Sequence, residues 1–222
     1  MRRGKMRVEV FGTVFLLCLM LLIPCVALAT PFTVNSVSYT NTANVYIQGF
    51  RTSNVTVYTE YTLNTDLYGS LDAFCIQNVD GPPNNQKYEL VAVPSDLSKA
   101  AWLAQQWWSG KNTYGTSGTI TKEDYQIAIW EVAFDANINL GADNFKYNSG
   151  ANLDAINYLL ALTFGSPTAS VSVAHNPVGD WNEAGYQDFL VNVAVPEPAR
   201  MLLMGAGLLA FAAFRRKIRK PL

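Results

Sequence analysis

Val55-Thr56-Val57-Tyr58-Thr59-Glu60-Tyr61-Thr62 alternates β-branched and aromatic residues with polar ones. A period of two is that of a strand with one wet face, so this stretch commits the front of the chain to sheet. Around it, residues 32–63 as a whole read as strands. Ala73-Phe74-Cys75-Ile76 is a short apolar strand closed by the turn-rich run from Asn78 to Asn85, and Tyr88 to Val93 is another. The period then changes. Ser95 is placed to cap a helix whose Leu97, Ala100, Ala101, Ala104, Trp107 and Trp108 share a face and which stops at Gly110. A Gly/Thr/Ser-rich loop runs through Gly118. Thr121, with Asp124 three residues on, opens a second helix that extends to about Phe134 or Ala136. Leu153–Leu162 reads as a third helix. Strand character returns at Ala169–Ala174 and Tyr186–Val195. The order predicts an α+β protein: a β-sandwich or barrel-like sheet with an inserted helical subdomain.

The two ends differ from this body. Arg2, Arg3, Lys5 and Arg7 precede an apolar run from Val10 to Val26 and then Ala27-Leu28-Ala29. That is the layout of a secretory signal peptide over residues 1–29, cleaved after Ala29, with an uncleaved anchor as the alternative. At the far end, Pro196-Glu197-Pro198 leads into an apolar stretch from Ala199 to Phe214 and a basic close, Arg215-Arg216-Lys217-Ile218-Arg219-Lys220. As a helix the apolar stretch spans about 24 Å, a little under a ~30 Å hydrocarbon core, and snorkelling basic side chains cover the difference. The basic cluster is expected to stay cytoplasmic, leaving residues 30–195 outside.

Residues 196–222 resemble the tails of PEP-CTERM proteins of Gram-negative bacteria, which have this order of Pro-Glu-Pro, hydrophobic helix and basic end. The resemblance implies an exosortase substrate. It would be handled by signal peptidase and exosortase, anchored in the inner membrane by a C-terminal transmembrane sorting helix, and then displayed at the cell surface or in a biofilm matrix.

Removing the ends changes the balance of the chain. Residues 30–195 keep six of the 16 Lys+Arg and 15 of the 17 Asp+Glu, a net charge near −9. Such a surface repels nucleic acid and anionic polysaccharide and favours cationic or amine-bearing partners. Cys18 and Cys25 leave with the signal peptide. Cys75 then remains without an internal disulfide partner, so it is an intermolecular bridge, an inert buried thiol or a reactive one.

The second helix carries a residue that does not fit its surroundings. Gln126, Ile129, Trp130 and Ala133 fall on one face, and Glu123, Asp124 and Glu131 are expected on the solvated one. Gln126 is therefore predicted on the buried stripe, where a primary amide needs partners, ordinarily backbone or water. Phe74-Cys75-Ile76 and Tyr125-Gln126-Ile127-Ala128-Ile129-Trp130 together resemble the thioester domains of bacterial surface adhesins. Those domains carry an aromatic-Cys-aliphatic element and a later hydrophobic-Gln-x-x-hydrophobic-Trp element. The resemblance spans about residues 70–135, although Ile76 is followed by Gln77 and Asn78, where many members have an acidic residue. It implies a bond between the Cys75 sulfur and the Gln126 side-chain carbonyl, open to attack by a target amine. Phe74, Tyr125, Trp130, Trp107 and Trp108 are candidates for keeping water from it.

Other signals are weaker. The lone His175 has no ligand cluster around it in sequence, no calcium loop is spaced out, and no cofactor or metal is expected. The expectation is thus an exported surface or matrix adhesin that attaches covalently once, rather than an enzyme with turnover. The alternative is a non-covalent structural or carbohydrate-associated exopolysaccharide-matrix protein with an inert Cys75, its tryptophans (Trp107, Trp108, Trp181) lining a sugar-binding face. A hydrolase using Cys75 is a third reading, with no motif placing a base.

Overall fold

The computed structural model describes residues 31–47, 55–77, 84–135, 138–141, 144–177 and 187–195, all within one compact unit, Ala29–Val195. The expected signal peptide, the sorting segment with Pro196, Glu197 and Pro198, the turn at 78–83 and Trp181 lie outside the described residues.

The fold is mostly β. Its spine is β1 (Phe32–Ile47), 16 residues long. Over most of its length it pairs antiparallel with β2 (Val55–Thr65), from Val34↔Thr65 to Val45↔Val55, with a register shift between Val34 and Ser36. β3 (Gly69–Cys75) follows β2. β4 (Gln86–Ala92) returns to the start of β1 through Phe32↔Tyr88. Late in the chain come β8 (Ser172–His175), beside β4, and β9 (Phe189–Val191), which bridges β8 and β3. The ring β1-β2-β3-β9-β8-β4 closes on β1 and makes a six-stranded barrel. Closure removes the free edges that a sandwich would leave. Of the two sheet forms the sequence allowed, the barrel is therefore the one adopted. β7 (Phe145–Ser149), which sequence periodicity did not reveal, pairs with the far end of β1.

Three helices lie between β4 and β8: α1 (Ser98–Trp108), α2 (Lys122–Phe134) and α3 (Leu153–Leu160). A 3-10 turn at Ser95–Leu97 precedes α1, and no side chain caps that helix. The expected Ser95 cap is thus replaced by a continuous turn. Thr121 does form a reciprocal capping box with Asp124, and Asn152 caps α3. The Gly/Thr-rich loop holds a small hairpin, β5 (Thr113–Tyr114) against β6 (Gly118–Thr119). Among the described residues, no helix is long and apolar enough to cross a membrane.

One expectation about α2 is corrected. Asp124 and Glu131 were expected on a wet face, but both are fully buried. The helix packs against α1, α3 and the barrel at once, so it has no solvent side over most of its length. Its two buried acids accept from backbone N–H groups. Asp124 accepts from the backbone N–H groups of Thr121 (2.8 Å) and Asn152 (2.7 Å), and Glu131 from that of Asn139. Sequence periodicity cannot anticipate this, because an acid that caps a neighbouring loop looks like an acid that faces water.

Candidate functional site

β3 delivers the site through the alternation of its side chains. Ala73 and Cys75 face one way, toward Tyr61 and Phe189, their neighbours on β2 and β9. Asp72 and Phe74 face the other way, toward the helices, where the Phe74 ring meets Trp108 at 5.6 Å. α2 lies along this strand with a stripe of residues four apart, Lys122, Gln126 and Trp130. Lys122 contacts Asp72 and donates to the Tyr61 carbonyl (2.7 Å). Gln126 reaches the end of the strand at Cys75.

Gln126 and Cys75, 51 residues apart, are brought together by two hydrogen bonds. The Cys75 N–H donates to Gln126 Oε1 at 2.9 Å, and Gln126 Nε2 donates to the Cys75 carbonyl at 2.8 Å. Both residues are completely buried. The amide thus finds the backbone partners that burial demands, and they belong to the residue carrying the described thiol. Its carbonyl is polarised by a main-chain N–H, the arrangement that stabilises an oxyanion during acyl transfer.

The sulfur is enclosed. The thiol donates to the Gln77 carbonyl at 3.1 Å. Burial pushes the Cys75 pKa up to about 12, and the Asp188 carboxylate adds to the rise. The Gln77 backbone, the Trp130 indole and the Tyr61 hydroxyl pull it back part of the way. The indole N–H of Trp130 has no conventional hydrogen-bond partner, so its one polar atom is available to the sulfur. Tyr61, itself buried, gives its hydroxyl to the Tyr58 carbonyl at 2.8 Å, and its ring packs on Phe189.

This burial predicts a pH dependence for the protein in its thiol form. Folded Cys75 keeps its proton to about pH 12, whereas the ordinary value is 9.0. Between those values the folded state binds more protons than the unfolded one. Stability is therefore complete below about pH 9 and falls by about 4 kcal/mol as the pH rises toward 12. Urea midpoints measured across that window should show the decline, and Cys75→Ala should reduce it, leaving the part due to Tyr61 and Tyr125, whose pKa values burial also raises.

A second network stands beside the thiol, and no local sequence signal announces it. Asp188, just before β9, accepts from the Gln77 side-chain amide (3.1 Å) and the Asn176 N–H (2.8 Å), and its carboxylate lies 2.8 Å from His175 Nδ1. Its own N–H donates to Gln77 Oε1 at 3.0 Å, and its carbonyl accepts from the Ile76 N–H. Burial raises the Asp188 pKa, opposed by His175 and Asn176. The lone histidine is thus joined to a carboxylate that Gln77 holds next to the cysteine strand. Among the described residues, no group of three or more His, Cys, Asp or Glu is arranged to hold a metal ion.

The aromatic residues expected around the pair separate into two sets. Phe74, Tyr125 and Trp130 are buried. Trp107 and Trp108 are half-buried, and both give their indole N–H groups to Asp72 Oδ2, at 2.9 and 3.1 Å. A separate cleft of about 460 Å³ opens between α1, the hairpin and α3, lined by Trp102, Gln106, Lys111, Tyr125 and Tyr158 among others.

Comparison with known proteins bears on the tail. A family model, the PEP-CTERM protein-sorting motif, matches residues 194–217, which include Pro196, Glu197 and Pro198. It points to an exported protein that is anchored at the membrane before processing by an exosortase. No curated protein and no solved structure matches the chain. The resemblance of residues 70–135 to thioester domains gains no support from these comparisons.

Proposed function

We propose that this exported protein is a surface or matrix adhesin that attaches covalently to amine groups through a Cys75–Gln126 thioester. The observation that carries the reading is the double hydrogen bond that seats the Gln126 amide on the Cys75 main chain. A fixed, dry, polarised amide seated on the main chain of the cysteine supports such chemistry.

The step balances without any co-reactant. Cys75 Sγ bonds to Gln126 Cδ, the C–N bond breaks, and the thiol proton leaves with the amide nitrogen as ammonia. An incoming amine then attacks Cδ; the C–S bond breaks and the sulfur recovers a proton. The Cys75 N–H stabilises the oxyanion in both steps. The Trp130 indole and Tyr61 hydroxyl, both of which favour the charged sulfur, ease its departure in the second. Burial that keeps the thiol neutral does not oppose the product, since an acylated sulfur carries no charge. The net acidity of residues 30–195 would gather amine-bearing partners.

Peptide mapping of the exported chain tests this. After methylamine treatment, the tryptic peptide that contains Gln126 should gain about 14 Da at that residue, because methylamine replaces ammonia at the acyl carbon. Cys75→Ala should abolish the gain. An unmodified Gln126 together with a thiol that alkylates fully after unfolding would sink the reading. In that case the cleft beside Trp102 and Tyr158 favours the non-covalent alternative, a carbohydrate-associated matrix protein with an inert Cys75.

A further inference from the structure

A second pair of residues on the same helix and strand is set up for a different bond. Lys122 opens α2, yet its side chain is only 8% exposed. Its ammonium is held between the Tyr61 carbonyl and Asp72 Oδ1, with the Phe74 ring 5.3 Å away. The other Asp72 oxygen, Oδ2, receives the two indole N–H groups of Trp107 and Trp108. One carboxylate oxygen thus faces an amine while the other is clamped by two neutral donors. A bridge serving charge pairing alone does not call for that asymmetry. The same asymmetry suits acyl substitution, where one oxygen must leave and the other must carry the negative charge of the intermediate.

We propose that Lys122 and Asp72 form an intramolecular isopeptide bond. Proton transfer from Nζ to Oδ1 along their contact yields a neutral amine and a carboxylic acid. Nζ then attacks Cγ, and Oδ2 takes up charge against the two indoles. The C–Oδ1 bond breaks, and Oδ1 departs with two of the three ammonium protons as water, leaving one proton on the amide nitrogen. Nothing is oxidised or reduced. The Asp72 side chain is 41% exposed, which gives the water a way out. The fixed placement of both groups supplies the proximity that condensation in water lacks. Oδ2 remains as the amide oxygen, with both indole donors in place. The bond would tie β3 to α2 across 50 residues of chain, independently of any chemistry at Cys75.

Trypsin reads the outcome directly. It does not cut after an acylated lysine, so the full chain, unfolded and digested, should give peptide 112–146 uncut at Lys122. That peptide should be joined to 52–87 with a total about 18 Da below the sum of the two, the mass of the water expelled; a Cys75–Gln126 thioester joins the same peptides and lowers the total by about 17 Da more until methylamine opens it. The link should survive methylamine and hydroxylamine, which open a thioester but leave an amide intact. Failure of the Cys75–Gln126 reading therefore leaves this result unchanged, and the converse holds too. Lys122→Arg keeps the charge and should remove the link. Release of a free 112–122 peptide in full yield from the unaltered protein would overturn the proposal.

Discussion

Replacing Gln126 with leucine is expected to destabilise the fold by about 2–5 kcal/mol. The substitution leaves the Cys75 N–H and carbonyl buried without partners, at about 1–3 kcal/mol for each unsatisfied group. No water can replace the lost amide cheaply, since both residues are completely enclosed. Leucine keeps the volume, so the loss isolates the hydrogen bonds from packing. The urea midpoint is the measurement, and a shift worth less than about 0.5 kcal/mol would mean that the two bonds contribute little. Gln126→Glu makes a useful companion. It can still accept from the Cys75 N–H, but as a carboxylate it cannot donate to the carbonyl and becomes a buried unpaired charge facing it, so it should cost at least as much as leucine.

Trp130 should show the opposite balance of packing and polarity. Trp130→Ala removes a side chain that is 2% exposed and stacks toward Phe145 at 6.2 Å, for an expected loss of about 3–5 kcal/mol. Trp130→Phe keeps most of the bulk and deletes an indole N–H that has no conventional partner. Its cost should stay below about 1.5 kcal/mol. The phenylalanine variant also removes one of the groups that pull the Cys75 pKa down. Its alkaline loss of stability should therefore extend to higher pH. Equal losses for the two variants in urea would show that the N–H, rather than the ring volume, matters to the fold.

How much of this was legible in the residues depends on the distance over which each feature is decided. The alternation at 55–62 and the box from Thr121 to Asp124 are local patterns with local causes, and both elements stand where the sequence puts them. Barrel closure is not local. It rests on β9, three residues long, meeting β3 more than 100 residues earlier, and nothing in Phe189-Leu190-Val191 names that partner. β7 is invisible for a related reason: Phe145-Lys146-Tyr147-Asn148-Ser149 is short and pairs only with the far end of β1.

The candidate site divides in the same way. Gln126 stands out on a stripe of apolar residues, so a buried amide in search of partners could be foreseen, and Cys75 is the cysteine of the body between the two ends. Asp188 and Gln77 could not be foreseen, being an ordinary acid and an ordinary amide until the fold joins them. Lys122 is harder still. At the first turn of a helix it reads as a solvated charge, and only the crossing of α2 over β3 buries it.

The place of β9 in the barrel has a mechanical consequence. β9 is the last strand described before the sorting segment, and it runs antiparallel to β3 with Cys75 opposite Phe189 and Ala73 opposite Val191. The tail leaves from the Val191 end, whereas Cys75 and Gln126 lie at the other. Tension between an anchored tail and a load held at Gln126 would therefore pull along the strands. The cross-strand bonds would be loaded together, in shear, rather than peeled one after another like a zip. β8 shares the load from the opposite side through Ser172↔Val191 and the Ser172 hydroxyl on the Val193 carbonyl. A closed sheet pulled in this direction resists as one body, a property that the proposed covalent attachment would call on.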